Sequence, residues 1–290
     1  MLPFAKTLIV DVGGRSTRVG YAGDFSPFYE TLTGEISADQ NAARIKVARL
    51  FAKQHEVDSV IVVAGDDEEG RYEVATSLLD NLVCNSVVFI SAAVCELFGH
   101  GKTSGTVVHL GGGVASVSVV QQGVVSERCV MPHSGEALVR EVSAALGCDL
   151  NSATELIETV NLEEAASLEE IKGTAKDTLQ TFINSVYLQL DKAVAMRKQY
   201  GFKRTASSGC IVLAGGLFRN RSIISLCKRH LLSVHGESVA ESLLSDTAVD
   251  ATFTGASLFG SNNLSKALFI TRADLQRHGP DSIALRALRH

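Results

Sequence analysis

Two glycine turns hold the residues best suited to chemistry. The first, Asp11-Val12-Gly13-Gly14-Arg15, follows the apolar run Leu8–Val10 and opens into a returning arm that carries Arg18. The second, His109-Leu110-Gly111-Gly112-Gly113, follows Val107-Val108 and opens into the alternating stretch Ala115–Val120. In a strand–turn–strand hairpin, glycine lets backbone N–H groups approach an anion with no Cβ in the way. Two such loops set opposite each other grip a nucleotide's phosphates from both sides. Asp11, at a strand end, can orient a phosphate-bound Mg²⁺ through water. Arg18 can offer a β-phosphate a fork of donors rather than a point charge. The same pattern also suits a pair of tight turns in any mixed sheet, and the pattern alone does not choose between the two. A dinucleotide site fits less well, because it needs a helix after the glycines. Here Val114, Val117, Val119 and Val120 follow, which is strand chemistry, and no Gly-x-x-x-x-Gly-Lys-[Ser/Thr] occurs.

The elements that position these turns follow from hydrophobic spacing. Thr7–Val12 and Arg18–Tyr21 form the first hairpin, with Gly13-Gly14 as its turn. Residues 25–41 read as a polar connection with one apolar patch, Phe28-Tyr29. Ala42–Gln54 and Gly70–Leu82 have helical spacing, Ser59–Ala64 is a β-branched run of the buried parallel kind, and Ser86–Ile90 is the next strand. Ala92–Phe98 is a short helix, and Gly101–Gly105 a flexible joint. After the second hairpin come a helix over Glu136–Leu146, stopped by Gly147, and an acidic stretch over 151–176 read as a solvated face. The longest helix spans Thr178–Arg197. Strand Cys210–Ala214 and helix Ser222–Leu232 follow, and Thr252–Leu258 begins the final segment. The arrangement is α/β, a glycine hairpin followed by βα units, twice, with a joint near Gly99–Gly105.

Composition narrows the function. The 290 residues are 46% hydrophobic and 20% charged, with a formal net charge of −5, so a nucleic-acid surface is not expected. The basic cluster Lys198–Arg204 reads as a solvated loop. Six cysteines (Cys84, Cys95, Cys129, Cys148, Cys210 and Cys227) show no C-x-x-C spacing and no pairing with nearby histidines. Neither a disulfide framework nor a structural metal is expected, and a reducing compartment is. The stretch Met1–Lys6 lacks a basic start and an apolar core. No apolar run approaches the ~18 residues that cross a bilayer. An intracellular soluble protein, with no membrane attachment, is expected.

With these residues laid out, a family resemblance emerges. The run Asp11-Val12-Gly13-Gly14-Arg15-Ser16-Thr17-Arg18-Val19-Gly20-Tyr21-Ala22-Gly23-Asp24 resembles the N-terminal phosphate hairpin of actin and actin-related proteins. Residues 92–105 resemble actin's interlobe hinge helix and the joint after it, and Gly111–Gly113 its second phosphate loop. Val212-Leu213-Ala214-Gly215-Gly216 is similar to the adenosine-side turn, and residues 269–283 to the C-terminal helix with its Gly-Pro. The resemblance implies a two-lobed, ribonuclease H-like α/β fold, with residues 1–100 and 251–290 in one lobe and 101–250 in the other. It implies ATP or ADP as the cofactor, held by Asp11, Gly13, Gly14, Arg15, Arg18, Gly111, Gly112, Gly113, Gly215, Gly216 and Leu217. A cleft that is empty or poor in Mg²⁺ is equally compatible with it.

Departures from the family pattern carry further implications. The second-loop aspartate that positions Mg²⁺ and the attacking water is His109 here, the hinge glutamine that orients that water is Ala92, and another active-site histidine is Ser116. His109 also suits a plain role as a partly buried histidine with its hydrogen bonds satisfied. Losing several groups from one preorganised site should nearly abolish hydrolysis, so a pseudo-ATPase with no catalytic residues is expected. The links where the family inserts its two small subdomains, after Asp24 and between Gly147 and Thr178, are short, so both subdomains are reduced or missing. That implies a structural subunit able to join other actin-like or complex subunits through a barbed-end face without polymerising. A cytoplasmic, cytoskeletal place is expected, with a chromatin-remodelling subunit in the nucleus, or an ATP-binding protein with residual ATPase activity, as the alternatives.

Overall fold

Strand β1 (Thr7–Val12) is apolar on both faces because helices cover it on both sides. The computed structural model describes residues 6–37, 39–64, 68–163, 171, 173–202, 209–245 and 251–286, and the chain divides into two compact units. The first comprises Met1–Thr103, Gln122–Val125 and Asp250–His290. It runs through β1, β2 (Ser16–Tyr21), β3 (Tyr29–Leu32), α1 (Thr33–Ile36), α2 (Gln40–His55), β4 (Ser59–Ala64), α3 (Glu68–Asp80), β5 (Ser86–Ser91) and α4 (Ala92–Gly99). It resumes with α10 (Ala251–Ser261), β11 (Ile270–Thr271), α11 (Arg272–His278) and α12 (Asp281–Arg286).

Its sheet has the order β11-β5-β4-β1-β2-β3, parallel through β1, β4 and β5. On one face Leu8, Val10, Val60, Val62, Val87 and Phe89 pack with Ala43, Val47 and Ala48 of α2 and Val74 and Leu78 of α3. The alternate residues Ile9, Ile61, Val88 and Ile90 are just as buried, on the side where α4 and α10 lie. Burial on both faces is why these strands read as unbroken apolar runs.

Helices α4 and α10 meet at backbone distance. A Cβ on Gly255 would run into the Cys95 carbonyl, and one on Gly99 into the Ala251 carbonyl. Between the helices the buried Glu96 carboxylate accepts a hydrogen bond from the Thr252 hydroxyl.

The second unit, Ser104–Gln121 and Ser126–Val249, contains β6 (Gly105–Leu110), β7 (Ala115–Gln121), β8 (Val124–Met131), α5 (Gly135–Leu146), α6 (Leu150–Thr159) and α7 (Thr174–Gln199). Strand β9 (Ile211–Ala214), α8 (Arg221–His235), α9 (Glu237–Ala240) and β10 (Leu243–Ser245) follow. Its sheet has the order β10-β9-β6-β7-β8. Val108, Leu110, Val117, Val119, Ile211 and Leu213 pack against the stripe Leu179, Phe182, Ile183, Val186 and Leu190 of α7. Helix α5 starts at Ser134, whose hydroxyl accepts from the Ala137 N–H at 3.4 Å. It stops at Gly147 with φ 66°, a left-handed position where glycine carries no Cβ penalty.

The main elements lie where hydrophobic spacing puts them, and four stretches differ. Residues 25–41 are not merely a polar link. β3 pairs with β2 there in the register Arg18↔Glu30, and α1 adds a single turn. As an edge strand of four residues, half-exposed throughout, β3 leaves almost no alternation to read. The same holds for β8, an edge strand of intermediate burial. The acidic stretch after 151 is only partly a solvated face. α6 buries Ala153 and Ile157, and Val160, Leu162 and Ile171 join the same core. Glu163 forms an ion pair with Arg229 at 2.6 Å, while Glu164, Glu169 and Glu170 lie outside the described residues. The C-terminal segment is not one helix. β11 pairs antiparallel with β5, and α11, fixed by a capping box between Thr271 and Asp274, ends at Gly279 before α12 begins. The basic cluster read as a solvated loop is split: Lys198 and Gln199 close α7, and Lys203 and Arg204 lie outside the described residues.

All six cysteines are free thiols. Among the described residues no helix is long and apolar enough to cross a membrane.

The α4–α10 contact yields a sign test. Alanine normally gains about 1 kcal/mol over glycine inside a helix. At Gly255 the added methyl meets a backbone carbonyl that no rotamer change can move, so Gly255→Ala should instead cost about 1–3 kcal/mol. Urea unfolding of the two proteins checks the sign, and a stabilised variant would refute the close approach.

Candidate functional site

The β1–β2 turn is held from beneath by a residue that the sequence reading did not single out. The Thr33 hydroxyl donates to the Gly13 carbonyl at 2.9 Å, and the Thr33 N–H donates to the Arg15 carbonyl at 2.8 Å. The Thr17 and Thr33 hydroxyls are 2.9 Å apart in the buried layer below. Both carbonyls therefore turn inward. The Gly13 N–H closes the turn onto the Ser16 carbonyl at 2.9 Å, so it is not offered outward. The Gly14 N–H donates to no protein acceptor among the described residues.

Asp11 lies just inside this turn, 8% exposed, directly across the ladder from Arg18. The Arg18 Nη1 is 3.5 Å from the Asp11 carboxylate and its Nε 3.2 Å from that of Glu30. Arg18, read from the sequence as reaching toward a phosphate, thus sits between two carboxylates. A cation drawn to Asp11 competes with it. Arg15 is exposed on the turn. Glu30 is a partner that only the strand β3 makes visible, since its register places it opposite Arg18.

The turn of the second unit is assembled from three segments. The Gly111 N–H closes the β6–β7 hairpin onto the Val114 carbonyl at 3.0 Å. The Gly111 and Gly112 carbonyls accept from the Gly135 and Glu136 N–H groups, both at 2.9 Å, which seats the hairpin on the first turn of α5. From the other side Gly215, with φ +105°, packs so closely on the Leu110 carbonyl that a Cβ there would overlap it. The buried Leu217 lies under Gly135, with its Cδ1 3.3 Å from where a Cβ would stand. Gly111, Gly112, Gly113, Gly215, Gly216 and Leu217 therefore form one cluster. The N–H groups of Gly112 and Gly113 donate to no protein acceptor among the described residues, and Gly113 is exposed. Gly135 and Glu136 complete the cluster, and Ser134-Gly135-Glu136 as a helix start is the signal that would have pointed to them.

His109 is the feature that sets the chemistry here. It sits opposite Ser116 and beside Ala214 in the sheet. Its Nε2 is 2.6 Å from the position a Gly111 Cβ would take, so the glycine is what admits the ring. The sequence reading allowed a histidine with satisfied hydrogen bonds, and the structure corrects that. Its Nδ1 is shielded from solvent and has no hydrogen-bond partner among the described residues. Burial, with the nearby Arg128 charge, lowers its pKa to about 4, so the ring is neutral near pH 7. Ser116 is buried, and Ala92 opens α4 at intermediate exposure in the first unit. The free N–H groups of Gly112 and Gly113 fit the oxygens of a phosphate. A neutral imidazole below them supplies no charge for a phosphate-bound divalent cation.

The sequence model of the family described as Actin matches residues 60–185. That stretch contains Ala92, His109, Ser116 and the Gly111–Gly113 turn, but neither the Asp11 hairpin nor the Gly215-Gly216 turn. No curated protein matches the chain.

The depressed His109 pKa sets a pH dependence of stability. Above pH ~6.5 the imidazole is neutral in both the folded and the unfolded chain. As pH falls toward 4 only the unfolded chain takes the proton, so stability is lost across that window. Between pH 7 and pH 5 the loss from this residue is about 2 kcal/mol. Urea midpoints for wild type and His109→Asn at both pH values isolate it. Equal pH dependence in the two proteins would contradict the buried neutral ring.

Proposed function

The chain belongs to the actin-like superfamily, and on that footing we propose that it is a non-catalytic structural subunit of a multiprotein cytoskeletal assembly. Its specific role on this reading is to terminate an actin-like filament at the pointed end, as the end-capping actin-related subunit of dynactin does. The observation that carries the reading is the brevity of two connections. Between β2 and α2 the chain builds only the four-residue strand β3 and the single turn α1, where the family inserts a small subdomain. Between α5 and α7 only residues 147–173 intervene, with α6 in them, where the family places its other one.

In an actin filament those small subdomains make the pointed face that receives the next subunit. The barbed face is built from the two large subdomains, the kind retained here. A subunit with only one of the two complementary faces joins a head-to-tail chain and stops it. The substitutions at Ala92, His109 and Ser116 support the same reading, because a terminal subunit has no need of a nucleotide clock. The Gly112-Gly113 turn can still hold the phosphates of ATP or ADP. Other actin-like or complex subunits are the partners, bound through the barbed face, and the protein works in the cytoplasm.

Sedimentation of the purified chain in Mg-ATP should find no filaments at any concentration. Added in small amounts to actin-like filaments whose barbed ends are blocked, it should halt subunit exchange at the pointed end. Filaments of the chain alone, or a block confined to barbed ends, would overturn the proposal.

A further inference from the structure

Three ligand-type side chains converge in the second unit, on a surface far in sequence from either glycine turn. Asp191 projects from α7, and His230 and His235 from α8, the latter as that helix's last residue. The His230 Nε2 is 2.9 Å and the His235 Nε2 2.7 Å from the same oxygen of Asp191, Oδ1. One ligand atom from each residue lies within 4.8 Å of the other two. Both imidazoles are largely covered, at 14% and 16% side-chain exposure, whereas the carboxylate is 40% exposed. The His230 ring is stacked on Tyr187, centroids 4.3 Å apart and planes 4° from parallel, so its direction is fixed. Tyr187 and Asp191 stand one turn apart on α7 and share a face.

We propose that Asp191, His230 and His235 form a transition-metal site that takes Zn²⁺ and fastens the C-terminal turn of α8 to α7. The donor set, two imidazoles and one carboxylate, is that of three-ligand zinc sites with the fourth position left to water, and the exposed side of Asp191 is where that water enters. Zinc bonds of about 2.0–2.1 Å in tetrahedral array put ligand atoms about 3.3 Å apart. The two Nε2–Oδ1 separations need open by only about half an ångström to admit the ion. A carboxylate oxygen only accepts hydrogen bonds, so each Nε2 now carries a proton. On metal binding Nε2 gives up that proton, to Nδ1 or to solvent, and donates its lone pair to the ion. Hydrogen bonds from both imidazoles to one Asp191 oxygen favour its ionised form, which is the anionic ligand the site needs. The spacing hid this site. Asp191 is 39 residues from His230, and the two histidines are five apart, a step that puts them on different helix faces until the end of α8 brings the second one back.

The test uses the full chain freed of metal by chelator dialysis and titrated with Zn²⁺. One ion should bind per chain and raise Tm. Co²⁺ in its place should give the visible bands of nitrogen and oxygen ligation without a thiolate charge-transfer band. His230→Ala and His235→Ala should each weaken binding at least about tenfold and abolish the Tm shift. Asp191→Asn, which keeps the shape and removes the charge, should do the same and carries the test if the alanine variants fail to fold. Stoichiometric binding that survives all three substitutions, a cysteine signature in the Co²⁺ spectrum, or no Zn²⁺-dependent change would each overturn the proposal.

Discussion

Backbone resting on backbone is the constraint from which the local architecture follows. In the first unit α4 and α10 touch where Gly255 faces the Cys95 carbonyl, and in the second Gly215 faces the Leu110 carbonyl. Any side chain at either point would separate segments that must stay in contact. The first contact draws α10 onto the sheet, so that Ile9, Ile61 and Ile90 are covered and Glu96 can be buried against Thr252. The second locks the β9 turn under the β6–β7 hairpin and so fixes which N–H groups of Gly111–Gly113 are left to face outward. Large side chains fill the interior, but these few glycines decide the separations.

The two hairpins share a shape and differ in charge. In one, the strand end carries Asp11, buried and answered by Arg18. In the other, the position two residues before the turn carries His109, neutral near pH 7 and, among the described residues, without a hydrogen-bond partner at Nδ1. Backbone donors alone recognise phosphate. Water activation additionally needs a correctly placed negative charge and a group to orient the water. The proposed reading as a scaffold subunit rests on that difference between the two hairpins.

Much of this was legible in the sequence, for a physical reason. Strands buried on both faces, such as Ser59–Ala64, must be apolar throughout. Both hairpins announce themselves by glycines at strand ends, and Gly147 marks a helix stop where the chain must turn left-handed. What escaped were elements whose burial is partial. β3 and β8 are edge strands, and α6 hides Ala153 and Ile157 among acidic neighbours. The turns could be recognised, but not the groups that seat them: Gly135 and Glu136 act through backbone N–H groups that most residue types possess, and the Thr33 hydroxyl reaches Gly13 only because β3 and α1 bring it there. The convergence of Asp191, His230 and His235 is purely tertiary, since two helices must pack before it exists.

The most direct measurement of the central claim is single-turnover hydrolysis of ATP by the purified chain in excess, with Mg²⁺ present. The account predicts phosphate release no faster than in buffer alone, for wild type and Asp11→Ala alike. A rate above that background in the wild type, abolished by Asp11→Ala, would contradict it.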